Sequence, residues 1–114
     1  MRIIVTGGRH YSDFSLVEKI LAALKPEFVI QGGATGADAL AKRWANENNV
    51  PFKTYDADWD RYGNSAGPIR NAQMCQENQD AWVVAFPGKK GTRNCVSCAK
   101  VLGMTVLRVE NELL

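Results

Sequence analysis

Apolar residues fall into two rhythms along this chain. Short, nearly unbroken apolar runs occur at Ile3 to Thr6, Glu27 to Gln31, Phe52 to Tyr55, Ala81 to Phe86 and Met104 to Val109. Runs of this length, rich in β-branched residues and stopped by glycine or proline, predict strands. Between them, Leu16, Val17, Ile20, Leu21 and Leu24 recur at helical spacing, as do Leu40, Ala41, Trp44 and Ala45. Val96, Ala99 and Leu102 mark a helix from Thr92 to about Leu102, closed by Gly103. Asp13 is placed to cap the first helix, Pro26 to stop it, and Asn48-Asn49 to close the second. A weakly patterned helix is expected from Pro68 to about Gln79, since proline loses nothing in a first helical turn. Asp56 to Gly67 reads as a loop, and the tail from Glu110 to Leu114 is expected to fray.

Strands alternating with helices predict βαβ crossovers and a parallel sheet. Strands as apolar as Ala81 to Phe86 fit burial on both faces. The expected fold is therefore α/β: a single three-layer Rossmann-like domain over residues 1–114, with a five-stranded, mainly parallel sheet and helices on both faces. A length of 114 residues suits one such domain and one hydrophobic core.

Composition removes several function classes. A formal net charge of +2 gives little pull toward nucleic acid or an anionic membrane. No apolar run reaches the roughly 18 residues that span a bilayer. Met1 to Val5 turns straight into Thr6-Gly7-Gly8 without a secretory leader's apolar core. Three cysteines call for no disulfide framework. Together these predict a cytoplasmic protein with reduced thiols and no membrane contact. Cys95 and Cys98 form one C-x-x-C pair inside a predicted helix, which falls short of the four ligands of structural zinc, so no metal is expected.

Ligands of open parallel sheets bind beyond the strands' carboxyl ends. The loops leaving those ends are Thr6-Gly7-Gly8-Arg9, Gln31 to Gly36, Asp56 to Gly67, and Phe86 to Thr92. Glycine lets backbone turn and approach a ligand closely, and a helix N-terminus carries about half a positive charge that suits phosphate. Neither the dinucleotide fingerprint G-x-G-x-x-G nor the P-loop G-x-x-x-x-G-K-[ST] is present.

Gly32-Gly33-Ala34-Thr35-Gly36-Ala37-Asp38, Ala66-Gly67-Pro68-Ile69-Arg70-Asn71 and Phe86-Pro87-Gly88-Lys89-Lys90-Gly91-Thr92 occur in this order. With Thr6-Gly7-Gly8-Arg9 and Ala57-Asp58-Trp59, they resemble the SLOG superfamily of Rossmannoid nucleotide-binding proteins, and within it the YspA or cpYpsA-related branch. That superfamily includes the LOG-type phosphoribohydrolases and DprA. The resemblance implies ligand contacts from Gly7, Gly8, Arg9, Gly32, Gly33, Gly36, Asp38, Trp59, Arg70, Asn71, Pro87, Gly88, Gly91 and Thr92. It implies Arg70 as a phosphate clamp, Thr92 as a helix cap and phosphate donor, and a homodimer, with the surface around the third helix as candidate interface.

One departure bears on activity. LOG enzymes carry P-G-G-x-G-T-x-x-E, whose glutamate serves catalysis. Here Lys89 stands at the second glycine and Cys95 at the glutamate. A thiol with a pKa near about 8.5 replaces poorly a carboxylate that handles protons at an N-glycosidic bond. Asp38 or Asp58 would have to substitute, so Arg70 and Asp38 are the catalytic candidates if the protein is an enzyme.

Three functions stand open. The first is binding of a nucleotide, or of a ligand derived from NAD or ADP-ribose, as a sensor or sequestering module, with no cofactor required. The second is LOG-like phosphoribohydrolase activity. The third is DprA-like binding of single-stranded DNA, which the weak charge disfavours. Trp59 and Tyr62 are candidates to stack on a base, Trp44 is expected in the core, and Trp82 in the core or an interface.

Overall fold

The computed structural model describes residues 1–110. The expectation of a fraying tail lies, from residue 111 onward, outside the described residues. The chain runs β1 (Arg2–Thr6), α1 (Phe14–Leu24), β2 (Phe28–Gln31), α2 (Ala37–Glu47), β3 (Phe52–Thr54), α3 (Trp59–Tyr62), a 3-10 turn (Gly63–Ser65), α4 (Ala66–Glu77), β4 (Trp82–Ala85), α5 (Lys90–Val101) and β5 (Val106–Arg108). The strands lie in the order β3-β2-β1-β4-β5, and every pairing is parallel. The fold is α/β and Rossmann-like, as expected.

The two-residue period of the strands sorts the core into two layers. Ile3, Val5, Val29, Val84 and Phe86 face one side, where they pack with Val17 and Leu21 of α1 and with Ala41 and Trp44 of α2. Ile4, Ile30 and Val83 face the other, with Met74 and Cys75 of α4 and Cys95 and Ala99 of α5. Trp44 is core, as its helical stripe implied. Trp82 opens β4 at the rim of its layer and stays 37% exposed, so it is not a core residue.

Local signals decide the helix ends. Asp13 accepts from the Leu16 amide at 3.0 Å, and Lys25 takes the left-handed conformation just before Pro26. The expected loop at Asp56 to Gly67 instead contains α3, a single turn capped by Asp58 accepting from the Arg61 amide at 3.2 Å, and the 3-10 turn. Helix α4 starts at Ala66, leaving Pro68 inside its first turn. Helix α5 starts at Lys90, two residues before the expected start. Thr92 therefore lies inside the helix rather than capping it, and no side chain caps its first turn.

Candidate functional site

Backbone from three loops is knitted together at the carboxyl ends of the strands. The Gly8 amide donates to the Pro87 carbonyl at 2.8 Å, and the Gly8 carbonyl accepts from the Ala37 amide at 3.1 Å. The Thr35 hydroxyl donates to the Arg9 carbonyl at 3.0 Å. Gly36, at φ +78°, lies so close to the Gly8 carbonyl that a Cβ there would overlap it. Gly7 packs between Ala37 and Phe86, and Gly88 against Thr92 and the Gly8 amide. Gly7, Gly8, Gly36 and Gly88 thus bring the loops to one another.

That packing leaves open space to one side of β1. A cleft of about 660 Å³ lies over the ends of β1, β2 and β3, walled by Arg9, Trp59, Asn64 and Arg70 and floored by Gly32 to Thr35. The Arg9 guanidinium stands 5.4 Å over the Trp59 ring, within cation–π range. Trp59 keeps 46% of its surface exposed.

Arg70 is the most constrained of these side chains. Its Nη1 donates to the carbonyl of Gly32 and, at 3.4 Å, to that of Tyr55. Its Nε donates to Asn71 Oδ1 at 2.8 Å. The guanidinium lies so close to Gly32 that any Cβ there would collide with it. Among the described residues only Nη2 has no hydrogen-bond partner, so Arg70 offers an anion one nitrogen rather than a two-nitrogen fork. Asn71 is buried, and its amide nitrogen donates to the Gly91 carbonyl at 3.3 Å and to Asn94 Oδ1 at 2.9 Å. It supports Arg70 from below and ties it to α5.

Two amides of the β2–α2 loop are used within the protein. The Gly33 amide donates to Gln31 Oε1 at 2.6 Å, and Gln31, fully buried, donates in turn to the Thr54 hydroxyl at 2.5 Å. The Ala34 amide donates to Asp38 Oδ2 at 3.2 Å. Asp38 is 7% exposed, and burial pushes its carboxyl up to about 6, against the opposing pull of the Ala34 amide and the Arg70 charge. The β2–α2 loop is therefore built by its own side chains, and the side chains that wall the cleft above it are Arg9, Trp59, Asn64 and Arg70.

A second concavity, of about 220 Å³, lies beyond β4 and β5 and is lined by Phe86, Pro87, Gly88, Thr92, Arg93 and Arg108. The expected contacts thus divide: Arg9, Gly32, Gly33, Trp59 and Arg70 share the large cleft, whereas Pro87, Gly88 and Thr92 line the smaller one. Cys95 is fully buried in the core beneath. Its hydrogen bond with Cys75 and its burial push its thiol up, which keeps it neutral. Among the described residues no three His, Cys, Asp or Glu side chains are placed to hold a metal.

Residues 1–62 match the YspA, cpYpsA-related SLOG family. The "Gene 61 protein" of Mycobacterium phage D29 is 36% identical over 118 residues, spanning 93% of this chain and 94% of that protein. The chain belongs to the YspA, cpYpsA-related SLOG family. The crystal structure of DNA processing protein A (DprA) from Streptococcus pneumoniae superposes with a TM-score of 0.77 at 19% identity, over 99% of this chain. The chain spans 51% of that structure's length, and the likeness at this identity is one of fold. For this SLOG chain, the side chain missed in the sequence among those walling the large cleft is Asn64, and the one missed beneath its floor is Gln31. Gln31 is a large amide ending the apolar strand β2 and fully buried there, which was its signal.

Proposed function

We propose that the large cleft binds a nucleotide, or a ligand derived from NAD or ADP-ribose, and that the protein acts as a sensor or sequestering module. One observation carries this reading: a half-exposed indole and two guanidiniums, Trp59 with Arg9 and Arg70, surround a single cleft. Its size lies within the roughly 300–1,000 Å³ of small-molecule sites. An indole offers a face to a base, and arginines offer charge-assisted donors to phosphate. Burial of Cys95 supports binding over cleavage, because α5 presents no carboxylate where LOG enzymes have theirs.

A second reading, hydrolysis of the bound nucleotide at its N-glycosidic bond, is favoured by one feature. Asp38, raised to about 6 beside Arg70, is a carboxyl that exchanges protons near neutrality. Incubating pure protein with AMP, ADP-ribose and NAD, with thermal shift and mass spectrometry in parallel, separates the two. A ligand at 100 times its Kd stabilises the fold by about 2.7 kcal/mol. A shift with intact ligand supports binding, release of free base supports hydrolysis, and neither effect across the panel sinks both. A single-stranded oligonucleotide in the same panel tests the DNA alternative, which predicts salt-sensitive retention.

A further inference from the structure

We propose that the smaller concavity is a second ligand site and that it takes a small α-amino acid with a branched apolar side chain. The proposal is independent of the nucleotide reading, because the two cavities share no lining residue.

The first support is charge. From Ala81 to Val109 the chain carries five basic residues, Lys89, Lys90, Arg93, Lys100 and Arg108, and no acidic one. Residues 1–80 carry nine basic and ten acidic side chains. The β4–α5–β5 unit is thus a positive region in a chain that is elsewhere nearly balanced. Arg93 and Arg108 line the concavity together with Glu110, the first acid after Asp80. None of the ion pairs among the described residues engages Arg93, Arg108 or Glu110.

The second support is placement. Arg93 and Val96 lie three apart on α5 and so share a face of the helix. Arg108 lies two residues after Val106, which packs into the core layer beneath α5, so Arg108 falls on the same side of β5. Glu110 follows two residues later. The Val109 amide donates to the Ala85 carbonyl at 2.8 Å, which holds the end of β5 beside β4. Cations from a helix and from a strand therefore border one cavity, with an acid next to the second of them.

The third support is shape. Ala85, Phe86 and Val96 are each at most 4% exposed, so the cavity has a preformed apolar wall. Its volume of about 220 Å³ holds about seven water molecules at their liquid density. That is the scale of one branched amino acid and falls below the roughly 300 Å³ at which drug-sized sites begin. Guanidiniums offer charge-assisted donors to a carboxylate, and an ionised Glu110 accepts from an ammonium. The wall receives the apolar side chain. A bare anion such as phosphate would leave that wall unused and would face the Glu110 carboxylate.

NMR titration with L-leucine, 4-methylpentanoate, 3-methylbutylamine and inorganic phosphate tests this. The second probe lacks the ammonium of leucine, and the third lacks its carboxylate. L-Leucine should saturate with a Kd of about 1 mM, shifting the amides of Phe86, Arg93 and Arg108, and each truncated probe should bind about tenfold more weakly. Arg108→Gln should weaken L-leucine by about tenfold. Glu110→Gln should weaken L-leucine and strengthen 4-methylpentanoate until they agree within about threefold, opposite changes that a merely structural role would not produce. Three results would overturn the proposal: no saturation by L-leucine at about 10 mM, equal binding of L-leucine and 4-methylpentanoate by the natural protein, or displacement of L-leucine by equimolar phosphate. Saturation with the shifts at Gly32 and Gly33 instead would overturn it as well.

Discussion

Around the β2–α2 loop, the glycines press against protein, the amides of Gly33 and Ala34 are used internally, and large side chains stand over the open space. The β4–α5 loop is packed in the same way at Gly88 but not beyond it. Gly91 has nothing within 4 Å of where its Cβ would be, and the concavity is about a third the size. Both loops leave strand ends on one sheet edge, and both are glycine-rich. The difference shows that glycine content alone does not identify a phosphate cradle. What matters is whether the backbone donors are spent and which side chains the packing leaves facing outward.

The sharpest way to break this comparison is to make one substitution in both loops. Gly36→Ala should lower stability by about 3 kcal/mol or more, because it combines an unfavourable backbone conformation with overlap onto the Gly8 carbonyl. Urea unfolding would read this as a lower midpoint at an unchanged slope. A loss below about 1 kcal/mol would mean that the loops are not knitted as described.

Arg70→Ala should weaken ADP-ribose binding by about 10–100-fold, and Arg93→Ala, in the smaller concavity, by no more than about threefold. Calorimetry on both variants checks this. Equal losses would show that the ligand bridges the two concavities rather than sitting in one.

Asp38 gives the larger cleft a pH signature that the smaller one lacks. Its carboxyl rises from 3.8 to about 6 on folding, so the folded state holds a proton that the unfolded chain releases. Its contribution to stability is fully present below pH 3.8 and is lost as pH rises through about 6, on the order of 3 kcal/mol. Asp38→Asn, which can still accept from the Ala34 amide, should flatten this window in denaturant titrations at a series of pH values. An unchanged pH profile would assign the dependence to other groups.

Trp59→Leu should cost about fivefold to tenfold in nucleotide affinity, since it keeps apolar bulk and removes the stacking face. At the small end, Gly91→Ala should be neutral or stabilise by up to about 1 kcal/mol, because the position is helical and open. Its contrast with Gly36→Ala measures the difference between the two loops directly.

The fold was largely readable from the chain. Each apolar run became a strand within one or two residues at either end, and Asp13 and Trp44 behave as their local pattern implied. Helix α3 escaped because four residues carry no apolar period, although Asp58 offered a cap signal. The early start of α5 escaped because Gly91, in its first turn, has weak helix preference. The burial of Cys95 was legible: it lies four residues before Ala99, on the inward stripe of α5. The site was less readable. Arg70, Trp59 and Arg9 were singled out, but their grouping apart from Pro87, Gly88 and Thr92 was not.

By itself, then, the sequence determined the α/β alternation, the helix faces and the gathering of glycine-rich loops at one edge. These follow from periodicity and capping, which act over a few residues. Only the tertiary structure decided that Arg70 would spend Nη1 on Gly32 and Tyr55, that Gly36 would meet Gly8, and that Asp56 would lie against Gly33. Those contacts join residues from separate loops, and their geometry depends on how the strands align side by side. No local pattern in the chain encodes that alignment, so the large cleft is a property of the packed sheet edge.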